Sequence, residues 1–204
     1  MSTPQLTELQ REAMVELVNV SVGAAAAVLS EMANCEIKLN VPQLDQMTRK
    51  EVSELIEATV EGDIVSINIE TEGFINGKSM LIFSERSSLS LVHAILQEQV
   101  PLEMLSEMEE EALTEVGNVV LNACLATFSD QLNERLTTSI PCCVKGPACE
   151  LIGYDDVQVL FIRVNFTHHA YGEEQGFITL MFDVASMQNI ITMVDAYLEQ
   201  FAIE

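Results

Sequence analysis

Four letters of this chain return in the same order and at the same distances. Glu12 is followed four positions on by Glu16, three later by Asn19, and after twenty-two intervening residues by Pro42. Glu111, Glu115, Asn118 and Pro141 repeat that spacing, each 99 positions after its counterpart. In a chain with 32 acidic residues, one Glu-x-x-Asn pair carries little weight. Four letters in one register imply an internal duplication, with repeats over about 7–98 and 106–200 forming a single domain across 1–204.

If both copies are helical, positions i, i+4, i+7 and i+11 lie within a narrow arc. Glu12, Glu16, Asn19 and Gly23 then share one face, as do Glu111, Glu115, Asn118 and Asn122. The rest of the first helix is apolar: Leu9, Ala13, Leu17, Val20, Ala24, Ala27 and Val28 cover one broad arc, and Met14, Val18, Val22, Ala25 and Leu29 the other. A helix apolar nearly all round is buried, which leaves the Glu/Asn stripe as the strip expected to reach water. Gly23 reads as a close-packing residue, and Pro42 and Pro141 as strand terminators.

At these residues the chain resembles the CheC/CheX/FliY phosphatases of bacterial and archaeal chemotaxis. That family carries Asp or Ser, three residues, Glu, two residues, Asn, twenty-two residues and Pro. Glu16, Asn19 and Pro42 match, as do Glu115, Asn118 and Pro141, while Glu12 and Glu111 stand where Asp or Ser is usual. The small-residue run from Asn19 to Ser30 is similar to the family's helix, and the doubled layout is that of CheC, so the resemblance spans essentially the whole chain.

Composition narrows the alternatives. Nine basic against 32 acidic residues give a formal net charge of −23, which opposes binding to a phosphate backbone and excludes nucleic acid as a partner. No basic start with an apolar run marks a signal peptide. The nearly uncharged runs from Leu17 to Ser30 and from Val116 to Ser129 fall short of the roughly 20 apolar residues of a membrane span, so a cytoplasmic protein without membrane insertion is expected. Cys35, Cys124, Cys142, Cys143 and Cys149 form no Cys-x-x-Cys pair and read as reduced, buried thiols. Cys142, Cys143 and Cys149 with His168 and His169 lack zinc spacing, so no metal site is assigned. His93, His168 and His169 have no nucleophile context, and phosphate-loop and His-Glu-x-x-His motifs are absent.

Thr7 is a plausible N-cap for a helix to about Asn34, followed by a strand from Cys35 to Val41. Gln43 to Thr59 is polar with a weak helical period and no close match in the second half. A half-buried strand is expected over Asp63 to Glu72, a tight turn at Asn76-Gly77 into Ser79 to Phe83, and a helix from Ser87 to about Gln97. The second half gives a helix from about Ser106 to Asn133, a strand from Leu136 to Ile140, strands near Val157 to Phe166 and Phe177 to Phe182 joined by a loop holding Gly172 and Gly176, and a helix from Ala185 to about Gln200. Gly176 and Phe182 lie 99 positions after Gly77 and Phe83. The fold expected is α+β with pseudo-twofold symmetry, a mostly antiparallel sheet of about six strands and the two motif helices side by side as in CheC.

The resemblance also implies chemistry. Hydrolysis of an acyl phosphate needs an in-line water and neutralised phosphoryl charge, so the part left to supply is mainly positioning. By resemblance, Asn19 and Asn118 orient that water in a phosphorylated CheY-like response regulator, Glu16 and Glu115 engage its lysine, and Glu12 and Glu111 are supporting residues. The chain then needs no cofactor of its own, because Mg²⁺ comes with the regulator; a CheD-like protein is a further partner the family allows. The alternative is a non-catalytic response-regulator or flagellar-switch binding module, since FliM-type switch proteins contain a related domain without the Glu-Asn pairs. Gly23 in one copy is Asn122 in the other, and the larger side chain either narrows approach to Asn118 or adds a hydrogen bond. On size alone, the first site is expected to be at least as active.

Overall fold

The computed structural model describes residues 5–95, 102–168 and 174–201. Its elements run in the order α1 (Glu8–Met32), β1 (Ile37–Leu39), β2 (Gln43–Thr48), α2 (Arg49–Thr59), β3 (Ile64–Gly73), β4 (Gly77–Ser84) and α3 (Glu85–Ile95). Then come α4 (Leu102–Leu132), β5 (Leu136–Thr138), β6 (Cys142–Gly146), α5 (Ala148–Ile152), β7 (Gln158–His168), β8 (Glu174–Asp183), a 3-10 turn (Val184–Ser186) and α6 (Met187–Phe201). The helices and strands of the second series follow the same order as those of the first, with the 3-10 turn added before α6.

All eight strands belong to one sheet, with a path β1-β7-β8-β4-β3-β5; β2 also pairs with β7, and β6 with β3. Every pairing is antiparallel. Exchanging each strand for the one at the same place in the other series reverses this path and leaves it unchanged. At its centre β4 meets β8 with Met80 opposite Thr179, two residues 99 positions apart. The edge strands cross over: β1 and β2 of the first half lie on β7 of the second, and β5 and β6 lie on β3.

The prolines mark a break within each edge. Pro42 separates β1 from β2, and Pro141 separates β5 from β6. Leu39 pairs with Phe166 and Gln43 with Arg163, so four steps on the edge answer three on β7. Thr138 opposite Thr71 and Cys142 opposite Asn68 show the same mismatch. A proline, having no N–H, is suited to such an irregular edge position.

Central strands are covered on both faces, so their apolar residues feed two cores. Val65, Ile67, Leu81, Phe83, Leu160, Ile162, Ile178 and Phe182 pack with α1, α4 and α6. Ile64, Met80, Ile82, Val159, Phe161 and Met181 pack with Val52 and Ile56 of α2 and Ile152 of α5. The strand expected to be half-buried is therefore buried from Ile64 through Ile67, because α2 and α5 close the second face.

Other expectations also shift. Gln43–Thr59 is not one helical stretch but β2 followed by α2, capped by Thr48 and Glu51 in a reciprocal capping box, and α5 is its short counterpart. The hairpin turns over 74–76, between Gly73 (φ 128°), whose N–H donates to Asn76 Oδ1 at 3.1 Å, and Gly77, so Asn76 lies in the expected turn while Gly77 already opens β4. Gly176 belongs to β8, not to a loop; Gly172 and His169 lie outside the described residues, as does the expected end of α3 near Gln97. By length and composition α1 and the Met108–Leu132 part of α4 are apolar enough to cross a membrane, which the shorter uncharged runs did not suggest. Here one side of each is packed into the core.

Gly77 and Gly176 are small because the neighbouring strand presses on them. A Cβ at Gly77 meets Met181 O at 2.3 Å and the Phe182 ring at 2.9 Å; at Gly176 it meets Ile82 O at 2.4 Å and the Phe83 ring at 2.9 Å. Gly23, expected to allow close packing, is exposed and has nothing within 4 Å of an added Cβ. The two glycines should therefore respond oppositely to alanine. Gly77→Ala is expected to destabilise by about 1–3 kcal/mol through overpacking, and Gly23→Ala to stabilise by about 0.5–1 kcal/mol through helix propensity. Urea unfolding measures both; shifts of the same sign would contradict this placement.

Candidate functional site

The motif helices begin and pack in ways the sequence explains. Thr7 caps α1 by accepting from Gln10 N–H, while the Gln10 side chain accepts from Thr7 N–H. Gln10 Nε2 also donates to Asp195 Oδ1 at 2.7 Å, tying the helix start to α6. Arg11 donates to the Leu44 carbonyl on β2. Between the motif helices, Gln131 of α4 donates to Ser21 Oγ at 3.0 Å and Leu17 O at 3.2 Å. Ser21 is fully buried and its hydroxyl donates to Leu17 O at 2.7 Å, so this polar contact within the seam is satisfied. Gly117 lets α4 come down on β3, where an added Cβ would strike Ile67 Cγ2 at 2.2 Å.

These contacts leave the motif residues outward. Glu12, Glu16 and Asn19 are exposed on α1; Glu111 and Glu115 are exposed on α4, and Asn118 is half-buried. Among the described residues the ion pairs are Arg49 with Asp155 and Asp183, and Lys145 with Glu85, so none of the four motif carboxylates is engaged. Glu110, Glu111, Thr114 and Glu115 line an open groove of about 500 Å³. A larger cavity, about 590 Å³, lies by the second core between Arg49, Glu70, Lys78 and Asp183, and no motif residue lines it. Burial pulls the Lys78 ammonium below its ordinary range, and the side chain already donates to Leu151 O at 3.1 Å.

The two carboxamides differ. Asn122 Nδ2 donates to both Asn118 Oδ1 and Asn118 O, each at 2.8 Å. Asn19 has no such neighbour, since Gly23 stands where Asn122 does, and its side chain makes no hydrogen bond among the described residues.

The Glu/Asn stripe is not the whole exposed strip, as the sequence reading held. Leu9 (60% exposed) and Val20 (45%) lie on the same face of α1, and Met108 and Val119 on that of α4. Val41 (74%) and Ile140 (88%) stand exposed just before the two prolines. These six make three pairs at the 99-residue offset. The pattern was present in the sequence, but helical periodicity assigned Leu9 and Val20 to the core because it does not say which arc meets a neighbour.

The thiols are only partly as expected. All five are free, but Cys142 is exposed and Cys124 alone is fully buried. Burial pushes Cys124 up to about 12 and Cys143 up to about 11, so neither is a ready nucleophile at neutral pH. Among the described residues no three His, Cys, Asp or Glu side chains are grouped to hold a metal. The isolated chain is accordingly expected to give no stoichiometric micromolar isotherm when titrated with Mg²⁺ or Zn²⁺ by calorimetry. Such an isotherm would bring the cysteine and histidine groups back into consideration.

No protein-family model matches the chain. Over 139 residues, 67% of this chain and 35% of the relative, the sequence is 22% identical to the flagellar motor switch phosphatase FliY of Bacillus subtilis. The match thus spans about a third of that relative's length. The structure of Thermotoga maritima FliY is similar with a TM-score of 0.72 and 18% identity, over 93% of this chain and 98% of that one. The FliM middle domain of H. pylori gives 0.61 and 11%, over 92% and 99%. A CheX–CheY–BeF3–Mg²⁺ complex from Borrelia burgdorferi gives 0.54 and 17%, over 83% and 97%.

Proposed function

We propose that this chain, which has the fold of the CheC/CheX/FliY proteins, is a soluble cytoplasmic phosphatase acting on the aspartyl phosphate of a CheY-like response regulator. One observation carries the reading: two Glu-x-x-Asn faces, 99 residues apart, lie on paired helices with their carboxylates unpaired and open to solvent.

Glu16 and Glu115 offer an acceptor for a partner's ammonium, with Glu12 and Glu111 one turn earlier adding negative charge. Asn19 and Asn118 sit one turn beyond those glutamates. A carboxamide has one carbonyl acceptor and two N–H donors. Its carbonyl accepts from the attacking water while its amide donates to a phosphoryl oxygen, which fixes the line of attack. Neither residue becomes covalently modified: the water oxygen forms the new P–O bond, the regulator's aspartate leaves as a carboxylate when its own P–O bond breaks, and the water's proton passes to the product phosphate or to solvent. The Mg²⁺ that neutralises phosphoryl charge belongs to the regulator, so this chain supplies geometry alone.

The paired apolar positions support docking. Leu9, Val20, Met108 and Val119 are 37–60% exposed, so a partner covering them would add about half of the roughly 1.5–3 kcal/mol that full burial of such a side chain gives. Their position beside the glutamates calls for a partner surface that sets a cation among apolar groups. The CheX–CheY complex supports a regulator of the CheY type as that partner.

The likeness to a FliM middle domain favours a second reading, a binding module that keeps the docking face without useful activity. Acyl-phosphate decay on a purified regulator separates the two. The double variant Asn19→Ala with Asn118→Ala should lose the acceleration while remaining folded, because Asn19 is exposed and half-buried Asn118 loses one side-chain hydrogen bond, worth about 0.5–1.5 kcal/mol, whereas loss of an orienting donor and acceptor acts on the transition state. Each single variant should keep partial activity. Decay at the wild-type rate in the folded double variant would reject the mechanism, and a single variant as inactive as the double would reject two independent sites.

A further inference from the structure

The proposed chemistry at the second site uses a carboxamide that another side chain already holds. Asn122 Nδ2 donates twice to one residue, at 2.8 Å from Asn118 Oδ1 and 2.8 Å from Asn118 O. A donor chelated between the side-chain oxygen and the backbone oxygen of the same residue fixes that side chain's rotation. It also decides which end of the carboxamide faces inward. Oδ1 is the end held by Asn122, and a carbonyl oxygen has two lone pairs, so accepting from Asn122 leaves it able to accept from a water as well. At the first site no described residue does this: Gly23 has no side chain, and the Asn19 carboxamide accepts no hydrogen bond among the described residues.

We infer that Asn122 is a positioning residue, which pre-orients Asn118 for the attacking water and makes the two sites mechanistically unequal. The inference rests on the phosphatase reading and deepens it. A group ordered before the partner arrives loses less freedom on reaching the reactive geometry, so the gain falls in the catalytic step rather than in docking. Docking depends instead on Glu115 and the apolar positions, to which Asn122 makes no hydrogen bond among the described residues. The order of activities is then the reverse of what side-chain size suggests: the second site is the faster.

The two copies supply their own reciprocal test. In an Asn19→Ala background, where only the second site works, Asn122→Ala is expected to lower kcat about tenfold with KM unchanged. In an Asn118→Ala background, Gly23→Asn is expected to raise kcat of the first site by a similar factor; an added side chain there meets open space. An unchanged or higher kcat for Asn122→Ala, or no gain from Gly23→Asn in a folded protein, would overturn the assignment. A second readout needs no phosphatase activity: side-chain ¹⁵N relaxation of the isolated protein should show the Asn118 amide ordered and the Asn19 amide mobile, with Asn118 becoming mobile in Asn122→Ala. Equal mobility of the two amides would overturn the positioning role. Absence of any accelerated decay by the wild-type chain, with the relaxation contrast present, would instead reject the phosphatase reading and leave the held carboxamide established.

Discussion

The pairing of β4 with β8 is the constraint on which the rest of this structure depends. With Met80 opposite Thr179, each strand meets the other at equivalent positions of the repeated pattern, and everything outward follows in mirrored order. A shift by one residue would turn the Phe83 and Phe182 face of the seam away from the helix-side core. The glycines oppose that shift. Gly77 and Gly176 accept the close approach of the opposite strand and of the ring beside it, Phe182 over one and Phe83 over the other. Those two rings continue into the core, where Phe83 meets Phe166 edge-on and Phe182 stacks on Phe128 of α4. The register at the centre of the sheet is thus transmitted to a motif helix by aromatic contacts.

Because the edge strands cross between halves, neither half of the chain holds its sheet together alone. β1 and β2 complete the surface of β7, and β5 and β6 that of β3. The backbone bridge from Asn40 N–H to Asn165 O at 3.1 Å has its counterpart in Ser139 N–H to Glu70 O at 2.9 Å, each just before a motif proline. The spacing from Asn to Pro therefore measures the path from an exposed helical face, over the helix end, to the break in an edge strand. It is a structural ruler rather than a set of reacting groups.

Much of this was legible in the sequence because the cues were local or repeated. The Thr7 cap, the motif faces, the Gly77/Gly176 and Phe83/Phe182 offsets and the helix–strand order all rest on short-range periodicity or on the recurring 99. The failures share a different cause. β2, α2 and the second core were hidden because burial there is set by elements distant in sequence, as when Ile152 and Val159 cover Val52 and Ile56. The exposure of Leu9 and Val20 was misread for the same reason: their hydropathy is that of core residues, and only the placement of the sheet shows that no neighbour meets them. Gly23 failed in the opposite direction, since smallness suggested a contact where the structure has open space.

That open space gives the repeated site its chemical interest. An acyl phosphate is reactive enough that a docked helix need supply only direction, and a carboxamide is an economical source of direction because it remains neutral and carries both donor and acceptor on one rigid plane. Rigidity of the plane does not by itself fix its azimuth. A free Asn on an exposed helix samples several rotamers and can present either end outward. One route to order is contact with the partner, which draws on binding energy; the other is a neighbour on the same helix, one turn away, which does not. The first copy, with Gly23, has only the former route. The second, with Asn122, has both, so under the proposed function a single residue difference between otherwise matching faces would separate a site ordered by its partner from one ordered in advance.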